Sequence, residues 1–308
     1  MTRKTLMIFI AIVLLFPATI GSSSSPNDRE ALIAKVKSAL IQQINRDRRR
    51  HGLQAVQYEP LASAVGDAHC RQALQNGFSG HFGLDGSKPY QRYARAGGYD
   101  GMAQNFSFSQ WSGYVVDDEF ILKQALELHR QMYEERPPFD GHRQNILRPE
   151  HNYCGIGLAF DENELRMTEE FIDRYVVLET LPKQTLTLKA ALTDTIWITG
   201  KTRHGEQVTS VTIFYEPQPQ PLSPEEINQT YAYGLPDERR DLFEKLAGGF
   251  HYRNGGAGDI LLDRSKSRFK FPLRFWKRRE GIYTVVVWVK SISLNATFPA
   301  TNICFFVD

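Results

Sequence analysis

The 308-residue chain has three cysteines, Cys70, Cys154 and Cys304. So few exclude a disulfide scaffold, and an odd number leaves at least one thiol unpaired within a monomer. A Cys70–Cys154 bridge stays open, because sequence does not show proximity. Excess charge is also lacking. There are 37 basic and 35 acidic residues, and losing Arg3 and Lys4 with a leader would leave the remainder formally neutral, which removes the footprint of a nucleic-acid binder. No GxSxG elbow occurs, and the cysteines lie in helix- or strand-like contexts without activating neighbours, so a serine or cysteine hydrolase has little support. The longest apolar run, Leu6 to Phe16, is about eleven residues against the ~20 needed to cross a bilayer. The chain is therefore not expected to be an integral membrane protein.

That run follows Arg3 and Lys4 and precedes small residues, the pattern of a secretory signal peptide over 1–20. A secreted, periplasmic or extracellular location follows. The remaining ~285 residues exceed one typical domain, which favours two. After a Ser/Pro/Asn linker at 21–28, Leu32, Ile33, Val36, Leu40 and Ile44 recur at helical spacing, with Gly52 as the stop. A second helix fits Leu61, Val65, Ala68 and Leu74 and ends at Asn76-Gly77, placing His81 in a glycine-rich turn. Ile121, Ala125, Leu128 and Met132 mark a third helix, opened by an acidic turn and closed by Pro137-Pro138. From Cys154 the segments CGIGLAF, LRMTEEF and RYVVLET are short and β-rich, so residues 29–180 read as helices packed on an antiparallel sheet. TLTLKAAL, TIWITGK, VTSVTIFY, RFKFPLRFW, GIYTVVVWVK and TNICFFVD then read as strands of a β-sandwich over 185–308, interrupted by a Pro-, Gly- and charge-rich insertion at 217–258. The fold class is α+β, followed by an all-β unit of Ig-like character.

FDGHRQNIL, residues 139–147, places His142 at the start of a short helix, where the positive end of the macrodipole favours a neutral ring able to bind a metal or accept a proton. The other histidines read as structural: His69 as packed, His151 as a surface residue, His129 as bordering a cleft without forming an HExxH pair. His51, His204 and His251 have no visible partner. In RFKFPLRFW, Phe269, Phe271, Leu273 and Phe275 alternate with Arg268, Lys270, Arg274 and Trp276. One face is expected in the core, and the other is a basic face with an exposed aromatic that could meet a cell-wall or cell-surface partner.

Several motifs in order carry a family resemblance. IQQINRDRRRHGLQAVQYEPLASAVGDAHCRQALQNGFSGH, with Asn45, Arg48, Gly52-Leu53, His69, Gly77 and His81, resembles the opening of the CAP superfamily, the proteins related to cysteine-rich secretory proteins, antigen 5 and pathogenesis-related 1. YQRYARAGGYDGMAQNF and GHRQNILRPEHNYCGIGLAF are similar to later segments of its bacterial members, and the resemblance spans about residues 28–180. It implies an α-β-α sandwich, the SCP domain, with a cleft of two histidines and two glutamates that in some members holds zinc or another divalent ion. The histidines fall on His81 and His142. The first glutamate position falls on Gln104, a departure that removes a charge and implies a weakly held ion, and the second falls on Glu135 or its neighbour Glu134. Glu134 and Asn105 are further candidate ligand contacts.

These readings favour a secreted binding protein whose cleft takes a divalent metal or small ligand and whose β unit serves attachment or recognition. The alternative from another class is a metal-assisted, peptidase-like hydrolase with Glu135 as general base and Gln104 positioning substrate. A third is a sterol or lipid carrier, which needs an apolar tunnel between helices.

Overall fold

The computed structural model describes residues 26–308 except 181, 204 and 231. The leader expected over 1–20 lies outside the described residues, as does His204. The linker's last residues are already helical: α1 runs Pro26–Arg50, and Gly52 follows it at φ +70°. Short β1 (Gln57–Tyr58) leads to α2 (Pro60–Asn76). Pro60 opens α2, where no N–H partner is lost, and Gly77 closes it in the left-handed conformation. Next come α3 (Pro89–Arg95), β2 (Gly101–Gln110), α4 (Asp118–Glu134), α5 (Gly141–Ile146), β3 (Tyr153–Phe160) and β4 (Glu164–Asp173). Asp117 caps α4 by accepting from the Phe120 N–H.

β1, β3, β4 and β2 form one sheet in that order, and alternation along β3 explains its two coats. Cys154, Ile156, Leu158 and Phe160 enter a core with Leu32, Val36, Leu40 and Ile44 of α1 and Ile121, Ala125 and Leu128 of α4. Gly155 and Gly157 face α2 instead. A Cβ on Gly157 would lie 2.3 Å from the Gly66 backbone, and one on Gly155 2.3 Å from the Ser63 nitrogen. Only glycine lets helix and strand backbones approach so closely. The result is an α-β-α sandwich. All three cysteines are free and buried.

The strand expected in RYVVLET exists as β5 (Val176–Thr180), but it pairs with β7 (Trp197–Thr202) and opens the second unit. TLTLKAAL is strand only at β6 (Thr185–Leu186) and then becomes α6 (Leu188–Thr193). Thr187 caps that helix by accepting from the Ala190 N–H, and the Ala-rich stretch after it favours helix. β8 (Gln207–Glu216), α7 (Pro224–Asn228), β9 (Arg239–Leu242), β10 (Leu261–Asp263), β11 (Arg268–Pro272), β12 (Gly281–Ser291), β13 (Ala296–Pro299) and β14 (Ile303–Val307) complete the chain. Two sheets, β10-β11-β7-β5 and β6-β14-β12-β8-β9, with β13 beside β12, share one core, the arrangement of a sandwich.

The two units are joined by specific contacts. Glu216 at the end of β8 accepts from the Tyr90 hydroxyl (2.8 Å) and Gln91 Nε2 (2.9 Å) and pairs with Lys88 (2.6 Å). The insertion at 217–258 is not a free loop. Its first half crosses the α-β-α unit: the Leu222 N–H donates to Leu84 O, Ile227 is fully buried with Ala73, Phe78 and Phe106, and Asn228 Oδ1 accepts from the Ser79 N–H. Its second half returns to pair β9 with β8.

Candidate functional site

The loop after α2, the outer edge of β2, the α4–α5 turn and the insertion enclose a cleft of about 680 Å³ lined by His81, Gln104, Glu135, His142, Asn145 and Tyr233, among others. Each histidine is held by a specific partner. The Gln104 Nε2 amide donates to Glu170 Oε1 at 2.8 Å, which fixes the amide's direction and turns its oxygen toward His81. His81 Nδ1 therefore donates to Gln104 Oε1 (2.9 Å), and its Nε2 keeps a lone pair. Burial pushes the His81 imidazole down to about 4, aided by the nearby His142 and Arg92, so the ring is neutral at pH 7. Burial also pushes Glu170, fully covered on β4, up to about 7.

His142 is the second residue of α5. Glu135, just past α4, accepts from its backbone N–H (3.0 Å) and its Nδ1 (2.5 Å). One carboxylate thus caps the short helix and orients the ring, leaving Nε2 for the cleft. Pro137-Pro138 turns the chain so that Glu135 and His142, seven residues apart, meet. Neither Nε2 has a protein partner among the described residues.

The other expected residues divide. Asn105 is fully buried and does not reach the cleft; its Nδ2 donates to Glu169 Oε2 (3.0 Å) and to the His142 carbonyl (3.1 Å). Glu134 points away and pairs with Arg130 at 2.5 Å. His129 does not border the cleft: it is fully buried, 2.6 Å from Glu169 Oε1 and 3.1 Å from Asp47 Oδ2. Burial opposes its charge, but the two carboxylates raise it to about 9, so the ring is an imidazolium donating at both nitrogens. His151, expected at the surface, is buried, stacked on Phe171 and 2.7 Å from Asp173 Oδ1. His69 is packed as expected, against Phe78 and Phe106.

In the β unit Phe269, Phe271, Leu273 and Phe275 are buried as the alternation requires. The opposite face is less basic than its sequence: Arg268 pairs with Glu179, and Arg274 lies 3.9 Å from Asp259. Trp276 is not the exposed aromatic, being packed against the sandwich core. That place belongs to Trp197 on the neighbouring strand, 40% exposed, with the Lys270 ammonium 4.5 Å from its ring centroid.

Sequence reasoning missed Asp47, Glu169, Glu170 and Tyr233. The three carboxylates gave only an unspecific acidic signal, and Tyr233 lies 129 residues from Gln104, whose backbone N–H donates to its hydroxyl at 2.7 Å. The Tyr233 ring also packs on His81, centroids 4.9 Å apart.

Among solved structures, an extracellular protein containing an SCP domain from Bacillus anthracis aligns at 16% identity with a TM-score of 0.39, covering 50% of this chain and 45% of that one. An outer surface protein from Borrelia burgdorferi aligns at 14% and 0.35, covering 49% and 96%. A cysteine-rich secretory protein from Staphylococcus aureus aligns at 14% and 0.30, covering 46% and 39%. The chain thus spans less than half the length of the first of these. No curated protein matches. Among the described residues no helix is long and apolar enough to cross a membrane. The sequence model of the cysteine-rich secretory protein family, CAP, matches residues 41–178, the span that carries both cleft histidines, and on that match this chain carries a CAP domain.

Proposed function

We propose that the protein is an exported binding protein whose cleft takes a divalent cation, Zn2+ or another, together with a small ligand. The observation that carries this reading is the pair of oriented imidazoles: His81 set by Gln104 and Glu170, and His142 set by Glu135, each with Nδ1–H committed and Nε2 free. Metal-binding histidines commonly have their second nitrogen held in this way. The donor set is short, since no group of three His, Cys, Asp or Glu side chains gathers around one point among the described residues. His81 and His142 would hold the ion, and water or the ligand would supply the remaining donors, which makes binding weak. There the ion would polarise an oxygen of the ligand.

The hydrolase reading with Glu135 itself as general base has less support, because both Glu135 oxygens already accept from His142. A lipid carrier fares no better. The groove between α1 and α4 is no apolar tunnel, because Asp47, Arg50, Glu119, Lys123, Glu127 and Arg130 line it together with Leu122, Leu126 and Tyr133. For the β unit the attachment role rests on Lys270, the one of the four expected contacts that stays exposed with no ion pair among the described residues.

Calorimetric titration of the protein with zinc at neutral pH, beside the His81→Ala/His142→Ala double variant, tests the reading. Binding in the micromolar range or tighter that the variant loses is expected. Equal heats from the two proteins would reduce the histidines to a structural pair.

A further inference from the structure

The cleft's second wall belongs to the β unit. Tyr233 packs on His81, and Asn302, just before β14, lines the same space. The Asn302 Oδ1 accepts from the Met102 N–H at 2.9 Å, which leaves its Nδ2 without a protein partner among the described residues. On the opposite wall Asn145 Nδ2 is committed to Asn105, and its Oδ1 is free. The cleft therefore offers acceptors at His81 Nε2, His142 Nε2 and Asn145 Oδ1, and a two-hydrogen donor at Asn302 Nδ2.

The charged side chains along the same lining are already paired. Glu135 holds His142, Asp173 holds His151, and Arg148 lies 3.4 Å from Glu150. No unpaired ion selects a charged ligand. A peptide adding by backbone pairing finds no free edge on β2 over residues 101–104 either. The outer edge of β2 is closed by Ala300 O, Asn302 Oδ1 and the Tyr233 hydroxyl, which accept from the N–H groups of Gly101, Met102 and Gln104. At the mouth stands Phe139, 85% exposed and part of the lining. A large apolar ring held in water beside amide and imidazole groups suits a ligand with an apolar face and hydroxyls around its rim.

We propose that this is a composite saccharide site: a neutral oligosaccharide lies between the CAP histidines and Asn302 of the β unit, with Phe139 stacked on one sugar ring. Each hydroxyl both donates and accepts, so alternating imidazole and amide groups can satisfy it without charge. The β unit is then half of the binding site as well as an attachment module. The inference rests on reading the cleft as a ligand site, and the metal is not required for it.

Calorimetry of the metal-free protein with cellotetraose, maltotetraose and tetraacetylchitotetraose tests it. At least one should bind with a Kd of about 1 mM or tighter. Phe139→Ala, at an exposed position where folding is not at stake, should weaken that binding about tenfold, the size of one lost aromatic stack. Asn302→Asp keeps the Oδ1 acceptor for Met102 but removes the donor, and should weaken it similarly. Absence of binding by all three sugars at about 10 mM, or binding unchanged in both variants, overturns the proposal. Zinc binding without sugar binding leaves only the metal reading standing. Sugar binding without zinc binding leaves only this one.

Discussion

Raising the pH should remove a defined part of this protein's stability through one buried ring. His129 lies between Asp47 and Glu169 with no solvent exposure, and its folded value is about 9 against 6.5 for a free imidazole. Because the folded value is the higher one, the folded state binds this proton more tightly. The contribution is fully present below about pH 6.5 and is lost as pH rises through about 9. At about 1.4 kcal/mol per tenfold change, the span corresponds to about 3 kcal/mol. The assay is guanidinium unfolding at about pH 6 and about pH 10 at constant ionic strength, on the wild type and on His129→Gln. The three buried thiols, each pushed up by burial, also lose stability above about pH 8.5, but they do so in both proteins and cancel in the difference. The wild type should lose about 3 kcal/mol more than the variant over this range. A His129 ring that titrates below about 7 by NMR, or parallel stability curves, would refute the reasoning.

Two further substitutions probe how the site is held. Arg48 is fully buried and donates to the carbonyls of Gln54, Ile146, Arg148 and His151, so it ties α1 to the end of α5. Arg48→Met should cost about 3–5 kcal/mol in denaturant unfolding, and a loss under about 1 kcal/mol would show that these carbonyls find water instead. Glu135→Gln keeps an acceptor for His142 Nδ1 but removes the charge behind the ring. Zinc affinity should fall about 10- to 100-fold with no change in far-UV dichroism, and unchanged affinity would show that the carboxylate does not support a metal ligand.

The sequence by itself determined the local elements whose signals are local. Apolar periodicity with Gly52, Gly77 and the double proline marked α1, α2 and α4, and the alternation in RFKFPLRFW marked its buried face, because backbone conformation and a one-sided core impose those patterns on neighbouring residues. The order of motifs also brought His81, Gln104, Glu135 and His142 into consideration. Where packing across the chain competes, local pattern failed. β5 joined the second sheet, TLTLKAAL became mostly helix, and Trp276 turned inward while Trp197 took the surface. Tertiary structure alone decided which polar residues act together. Asn105, Glu169, Asp47 and His129 sit on four different elements and become one network only where β2, β4, α1 and α4 pack, and Tyr233 and Asn302 reach the cleft only because the β unit closes the outer edge of β2. A hydrogen bond has a reach of about 3 Å and no sequence period, so partners 129 residues apart leave no mark in a single chain's pattern.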